Sequence, residues 1–140
     1  MKQEDKELLI KDLCMRLPYN VYVDRIGIPH KLIGVNSADK TVTINNKDYM
    51  PTTFFINASE IPVKPYLRPM SSMTEKEKQE YDHRLECMFY DAMYDDAFAI
   101  DWLNRNMFDY RGLIEKDLAI KITPENNPYK WLLLDYVQMT

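Results

Sequence analysis

The chain has 140 residues, of which 46% are hydrophobic and 29% are charged, and its formal net charge is −4. This length, together with ample aromatic and aliphatic side chains, supports a folded core and argues against a disordered protein. The first half is close to neutral and the second half is acidic, which argues against a general nucleic-acid binder.

The first predicted element is an amphipathic helix in EDKELLIKDLCMRL. Leu9, Leu13 and Leu17 recur every four residues and so lie on one helical face. Asp5 is placed to cap the start of this helix, and Pro18 is placed to end it.

From Tyr19 onward the apolar residues alternate, which is the period of a β-strand. Strands are predicted in NVYVDRIGI, HKLIGV, TVTIN and TTFFIN, with the turn-rich segments NSADK and NNKD between them. Short strands joined by such turns indicate an antiparallel meander. Two forms of this small sheet remain open: an SH3-like, partly closed barrel, or an open sheet packed on helices.

The segment IPVKPYLRPMSSMTEKEK follows the predicted sheet. Its three prolines favour an extended, polyproline-like backbone, so we predict a stiff connector with Tyr66 and Leu67 packed beneath it. The alternative is a binding motif that presents Tyr66 and Arg68 to a partner.

Two helices are predicted after this connector. Thr74 and Glu77 have the spacing of a capping box, and Tyr81 and Leu85 begin an apolar stripe at helical spacing. YDDAFAIDWLNRNM favours a second helix, with a bend near residues 94–96 separating the two, and the alternative is one helix that runs straight on over 75–106.

The last third of the chain mixes short elements. FDYRGLIEK predicts a helical turn capped by Asp109, and LAIKI predicts a short strand. NPYKWLLLDYVQM predicts a helix over 128–138, with a strand as the alternative. We therefore predict an α+β fold in one domain over 1–140. A helix-plus-meander half covers 1–66 and a mainly helical half covers 67–140.

The sequence lacks the pattern of a known catalytic site. It has no nucleophile elbow and no cysteine-protease signature, and three glycines are too few for a phosphate-binding loop. Cys14 and Cys87 fit neither a zinc pattern nor a secreted disulfide, so we expect two reduced, buried thiols. We predict no catalytic residue, no metal ligand and no cofactor.

The start of the chain lacks the apolar core of a signal peptide. Its longest apolar run, WLLL, falls far short of the roughly 20 residues of a membrane span. These features predict a cytoplasmic protein without membrane contact.

The leading functional hypothesis is a non-enzymatic interaction or accessory module that binds another protein or itself. Trp, Tyr and Arg anchor many interfaces, so the candidate binding residues are Tyr66, Arg68, Trp102, Tyr110 and Arg111.

Two alternative functions remain. Nucleic-acid binding by the β-half would require Lys31, Lys47, Lys64 and Arg68 to cluster. A metal-dependent hydrolase would use acids of the helical half, namely Asp91, Asp95, Asp96 and Asp101.

Two motifs, KPYLRPMSSMTEKEK and DWLNRNMFDYRGLIEKDLAIK, resemble a family of small uncharacterised proteins of gut-bacterial genomes and their phages and mobile elements. The likeness covers roughly residues 20–122. Family members commonly have Gly where this chain has Asp117, so the resemblance implies a left-handed, helix-ending turn, a conformation that Asp tolerates. It implies a bacterial, mobile-element origin and transfers no activity or catalytic residue.

Overall fold

The computed structural model describes residues 2–45, 50–56, 63–90 and 97–132. The described α-helices are α1 (Gln3–Arg16), α2 (Glu75–Tyr90) and α3 (Phe98–Arg105), and short 3-10 helices cover Leu17–Tyr19 and Met70–Ser72. The described strands are β1 (Tyr22–Arg25), β2 (Ile28–Asn36), β3 (Thr41–Ile44), β4 (Thr52–Phe55), β5 (Lys64–Pro69), β6 (Phe108–Asp109) and β7 (Ile120–Lys121). None of the helices in these ranges is long and apolar enough to cross a membrane.

The strands form one open, mostly antiparallel sheet in the order β4-β3-β2-β1-β5-β6, and β7 also pairs with β5. β1 to β4 are the predicted meander. β5 pairs antiparallel with β1 and parallel with β6 and β7. The α+β prediction, with an N-terminal helix, a small sheet and later helices, is confirmed, and the sheet takes the open form.

The first predicted strand is interrupted by a hairpin turn. The backbone φ angles of Ile26 and Gly27 are 55° and 73°, and Arg25 pairs directly with Ile28 across the turn. Positive φ at both central residues is the signature of a type I′ turn, whose twist suits an antiparallel hairpin. The prediction of one strand through NVYVDRIGI is therefore wrong at this point.

KPYLRP is a paired strand in the interior of the sheet, so the prediction of a connector is wrong, whereas the predicted burial of Tyr66 and Leu67 is confirmed. The carbonyl of Leu67 accepts a hydrogen bond from the Ile122 N–H at 2.9 Å, on the β7 edge of the strand. Pro65 and Pro69 lie two residues to either side and share this orientation, because bonding direction alternates along a strand. Their missing N–H groups therefore break no hydrogen bond to β1, and the chain can be proline-rich and still pair.

A tyrosine hydroxyl bridges the backbones of β1 and β5 at the seam where these two strands pair. The Tyr129 hydroxyl accepts from the Tyr22 N–H at 3.1 Å and donates to the Tyr66 carbonyl at 2.8 Å. The β1–β5 register would place Tyr22 opposite Tyr66, so the hydroxyl stands between two strands that have moved apart. Burial raises the pKa of Tyr129 well above its ordinary value, which keeps the proton needed for the second bond.

Helix α1 covers the sheet with Leu9, Ile10 and Leu13, which are buried in the main core. The helix begins at Gln3 with Lys2 before it, so the prediction that Asp5 is the cap is wrong. Asp5 lies in the first turn, where the helix dipole favours an acidic side chain.

The two cysteines are free, as predicted, but the prediction that both are buried is wrong. Cys14 is exposed on α1, and Cys87 is half-buried on α2. Cys14 lies one residue after the buried Leu13, where the helix surface turns towards solvent.

The capping box at the start of α2 is confirmed in both directions. The Thr74 hydroxyl accepts from the Glu77 N–H at 3.2 Å, and the Glu77 carboxylate accepts from the Thr74 N–H at 3.0 Å. The described helices α2 and α3 pack against each other. The bend predicted near 94–96 lies outside the described residues.

The turn after β6 confirms the role of Asp109. Its carboxylate accepts from the backbone N–H groups of Leu113 and Ile114, both at 2.9 Å. The turn ends at Asp117, whose φ is 58°. Its N–H donates to the Ile114 carbonyl, and the Leu118 N–H donates to the Leu113 carbonyl, which together form a Schellman motif.

The predicted helix over 128–138 is wrong across 128–132, where no residue is helical and Lys130 and Trp131 form a turn. The Asn127 side chain accepts from the Tyr129 N–H and donates to the Leu132 carbonyl, so it closes a compact turn instead of starting a helix. Residues 133–138 of that prediction lie outside the described residues.

Candidate interaction site

Arg68 lies at the centre of a buried junction between β5 and α2. Its guanidinium donates to both carboxylate oxygens of Glu77, each at 2.8 Å, and to the Ser72 hydroxyl and carbonyl. Burial alone would raise the pKa of Glu77, but the hydrogen bonds from Arg68 and Thr74 outweigh burial and hold it below its ordinary value. Glu77 thus caps α2 and fixes this helix to the sheet.

Stacked aromatic rings extend from the same guanidinium. The Arg68 guanidinium carbon lies 4.0 Å from the centroid of the Phe108 ring. Phe108 stacks on Trp102 at 5.5 Å between centroids, and Trp102 stacks on Tyr81 at 5.8 Å. The stack joins β5, β6, α3 and α2 and forms a second, smaller core.

A second buried cluster of charges joins α1 to the segment after β6. The Asp12 carboxylate accepts from Arg16 at 2.8 Å and from Arg111 at 2.9 Å. The Tyr110 hydroxyl donates to the side-chain amide oxygen of Asn104 and accepts from Arg111, each at 2.7 Å. Two arginines around one aspartate leave a local excess of positive charge. Of the two, Arg111 is the one whose side chain is partly exposed.

The five predicted binding residues all make contacts within the protein. Tyr66, Arg68 and Trp102 are buried, and Tyr110 and Arg111 are half-buried within the second charged cluster. Tyr66 donates to Asp24 at 3.0 Å, and burial followed by this bond raises the Tyr66 pKa far above its ordinary value. Their predicted role in binding a partner stays a prediction.

The residues named for the two alternative functions are placed as follows. Lys64 pairs with Asp117 at 2.9 Å, Arg68 pairs with Glu77, and Lys31 is half-buried. Lys47 and the acids Asp91, Asp95 and Asp96 lie outside the described residues, and Asp101 is half-buried on α3. Within the described ranges, no three His, Cys, Asp or Glu side chains are arranged to hold a metal ion.

The sheet face that packs on the core extends beyond the buried region. Val23, Leu32 and Val42 project from this inner face and are buried. Residues paired directly across two strands share a face, and the register places His30 opposite Val23 and Phe54 opposite Val42. The inner face therefore continues to His30 and Phe54, which are only half-buried.

Beyond the core, the inner face opens into a cleft of about 320 Å³. The described residues that line it are Arg25, Ile26, Ile28, His30, Ile44, Thr52 and Phe54. Ile26 and Ile28 leave 67% and 56% of their surface exposed at its mouth. The volume is at the low end of the range of about 300–1,000 Å³ typical of sites that take small groups.

The apolar mouth is maintained at a cost in backbone energy. Ile26 occupies a left-handed position in the hairpin turn, where Asn or Gly is normal and a β-branched residue is an outlier. Because most of the Ile26 side chain is exposed, burial of apolar surface does little to offset the strain of this backbone conformation. Strained residues of this kind cluster at functional sites.

Among the described residues that line the cleft, Arg25 carries the formal charge, which is positive. The Arg25 guanidinium carbon lies 3.6 Å from the centroid of the Phe54 ring, and His30 stands on the adjacent strand. No carboxylate among the described residues lines the cleft or pairs with Arg25. The site thus combines an apolar wall with two nitrogen donors.

Sequence reasoning missed this site because its residues come from four different strands. One local signal was available: RIGI places an apolar, β-branched residue before glycine, where a hairpin turn normally takes Asn, Asp or Gly. That mismatch alone indicates that Ile26 occupies an unusual position in the turn.

Comparison of the chain with protein-family models, with curated proteins and with solved structures finds no match. The protein has an α+β fold with an open, mostly antiparallel sheet. What the cleft can bind is therefore inferred from the residues that line it.

Proposed function

We propose that this protein is a non-enzymatic interaction module that binds another protein through the cleft at the open end of its sheet. The observation that carries the proposal is the cleft, where the inner face of the sheet leaves the core and ends in exposed isoleucines. Exposed apolar surface in a concave setting is a feature of interaction sites.

The strained turn strengthens this proposal. Replacing Ile26 with Asn would relieve a left-handed isoleucine and remove exposed apolar surface, so stability alone gives no reason to keep the isoleucine. A partner that buries this side chain supplies a reason, because sites of binding commonly trade stability for function. On the motif resemblance alone, we also propose a bacterial or mobile-element origin. The lack of a signal-peptide pattern in the sequence supports the further proposal of a cytoplasmic setting.

The proposal is tested by comparing the full chain with its I26N variant. Both are immobilised and exposed to a lysate of the organism that encodes the chain, and a retained protein is then purified and titrated against each. We expect the variant to bind that protein at least about tenfold more weakly, the scale of losing an interface anchor.

The matched control is I33N, because Ile33 is 42% exposed but does not line the cleft. We expect I33N to bind as the wild type does, and thermal unfolding to show that both variants are folded. A purified partner that binds the wild type and I26N equally well would refute the use of the cleft.

A further inference from the structure

The outer edge of β4 has backbone groups that no other described strand pairs with, and these lie beside the cleft. β4 is the terminal strand in the sheet order. The Ile56 N–H donates to the Lys40 carbonyl at 2.9 Å, which continues the ladder between β3 and β4. Bonding direction alternates along a strand, so the backbone groups of Thr53 and Phe55 point away from β3. No other strand within the described ranges pairs with this edge.

A strand added to this edge would deliver side chains to the cleft. Thr52 and Phe54 belong to β4 and line the cleft, so the cleft opens directly alongside the outer edge of this strand. Alternate residues of an added strand would share the inner face with these two side chains. Recognition by strand addition uses main-chain bonds for affinity and such pockets for specificity.

The polar groups that line the cleft indicate which side chains the added strand would carry. Arg25 and His30 provide donors, and no described lining residue provides a carboxylate to meet them. A carboxylate is the complementary group for a guanidinium, and apolar walls favour an aliphatic or aromatic neighbour. A second copy of this chain pairing through its own β4 would offer only threonine and phenylalanine. The complementarity therefore favours a different protein.

We infer that the partner contributes an extended segment that pairs with β4 as an additional strand. This segment places an apolar side chain in the cleft and an Asp or Glu within reach of Arg25 and His30. The inference rests on the proposed function, because it specifies the partner of the same cleft.

The first test selects short random peptides, displayed on phage, on the immobilised full chain. We expect enriched sequences in which apolar residues alternate with other residues and in which Asp or Glu recurs at one position. Enrichment of basic sequences, or of helical apolar spacing, would overturn the inference.

The second test examines the backbone bonds from the side of the ligand. The tightest selected peptide is synthesised with single N-methyl groups along its length. We expect methylation at alternate residues to weaken binding by about tenfold and methylation at the residues between them to have little effect. Equal effects at every position would exclude strand addition.

The third test removes the N–H of Thr53, which points away from β3. Proline is tolerated at such an edge position, so T53P should fold, and circular dichroism checks this. T53V is the matched control, because it keeps the N–H and loses the same hydroxyl. We expect T53P alone to lose about tenfold in peptide affinity, and equal affinities in the two variants would contradict the inference.

A charge exchange tests the acidic position. R25E should weaken binding of the selected peptide by about tenfold, and replacing the peptide acid by Lys should restore most of the affinity. Absence of restoration would refute the contact with Arg25. Sedimentation that shows a dimer dissociated by T53P would also overturn the inference, because a second copy would then occupy the edge.

These outcomes separate the two proposals. Loss of the lysate partner in I26N, with no effect of N-methylation or T53P, would retain the cleft as the interaction site and reject strand addition. Equal binding of the purified partner and of the selected peptide to I26N and to the wild type would reject both.

Discussion

The buried pair between Arg68 and Glu77 allows one quantitative prediction. In E77Q the side chain keeps an oxygen that can accept from the Thr74 N–H, since Gln also serves in a capping box. The substitution therefore removes the negative charge and leaves the cap of α2 in place. Arg68 is fully buried, and only 22% of the Glu77 side chain is exposed, so the remaining cation has little access to water.

The magnitude follows from this burial. Removing one partner of a buried ion pair costs about 3–5 kcal/mol, and the partial exposure of Glu77 places E77Q near the low end, at about 3 kcal/mol. For a chain of this size, this loss corresponds to a fall of about 10 °C in Tm. E77A also removes the cap, which adds about 1 kcal/mol to the loss.

The assay is urea unfolding of the wild type, E77Q, R68M and the double variant at neutral pH. We expect the double variant to be more stable than the sum of the single losses predicts, by about 2 kcal/mol, because the second change removes the buried cation that lost the Glu77 carboxylate. A loss of less than about 1 kcal/mol in E77Q would refute the reasoning, since exposed pairs behave in this way.

The pH dependence gives a second readout of the same pair. The folded-state pKa of Glu77 is below its ordinary value of 4.5, so its charge stabilises the folded state fully above the unfolded-state pKa. That stabilisation is lost as the pH falls through the folded-state pKa. The stability gap between the wild type and E77Q should therefore be constant above pH 4.5 and shrink below it.

Three further predictions concern the backbone. I26N should raise the free energy of unfolding by about 1 kcal/mol, because Asn tolerates the left-handed conformation that strains isoleucine. Y129F should lower it by about 1–3 kcal/mol, because the ring stays while the Tyr22 N–H and the Tyr66 carbonyl lose their bridge. In a K64M background, which already lacks the Lys64–Asp117 ion pair, D117G should raise it by about 0.5–1 kcal/mol at a residue whose φ is 58°. Chemical denaturation measures each change. A loss of stability in I26N or D117G, or none in Y129F, would contradict the assigned role.

Local patterns predicted local structure well, because the interactions concerned lie within a few residues. Thr74 and Glu77 satisfy each other's backbone groups three residues apart, so their capping box was visible in the sequence. The role of Asp109 depends on the N–H groups of the turn that follows it, and that turn was also predicted. The α+β class followed from the change of period after the first helix.

The predictions that were wrong or missing depend on contacts between residues that are far apart in the sequence. KPYLRP pairs with residues near both ends of the chain, and no local propensity reveals that its prolines face an edge where their missing N–H groups are harmless. Arg16 resembles an ordinary surface charge, yet it is buried because Asp12 and the Phe108 carbonyl accept its hydrogen bonds. The cleft needed four strands in register before its residues could meet.

The hydroxyl that bridges β1 and β5 also bears on the order in which the molecule can form during synthesis. Tyr129 lies 107 positions after Tyr22, so β1 leaves the ribosome long before the group that completes its seam. Contacts of such separation slow folding, because the intervening chain must first be ordered. We therefore expect a nascent chain to hold an unfinished seam at the centre of its sheet until Tyr129 emerges.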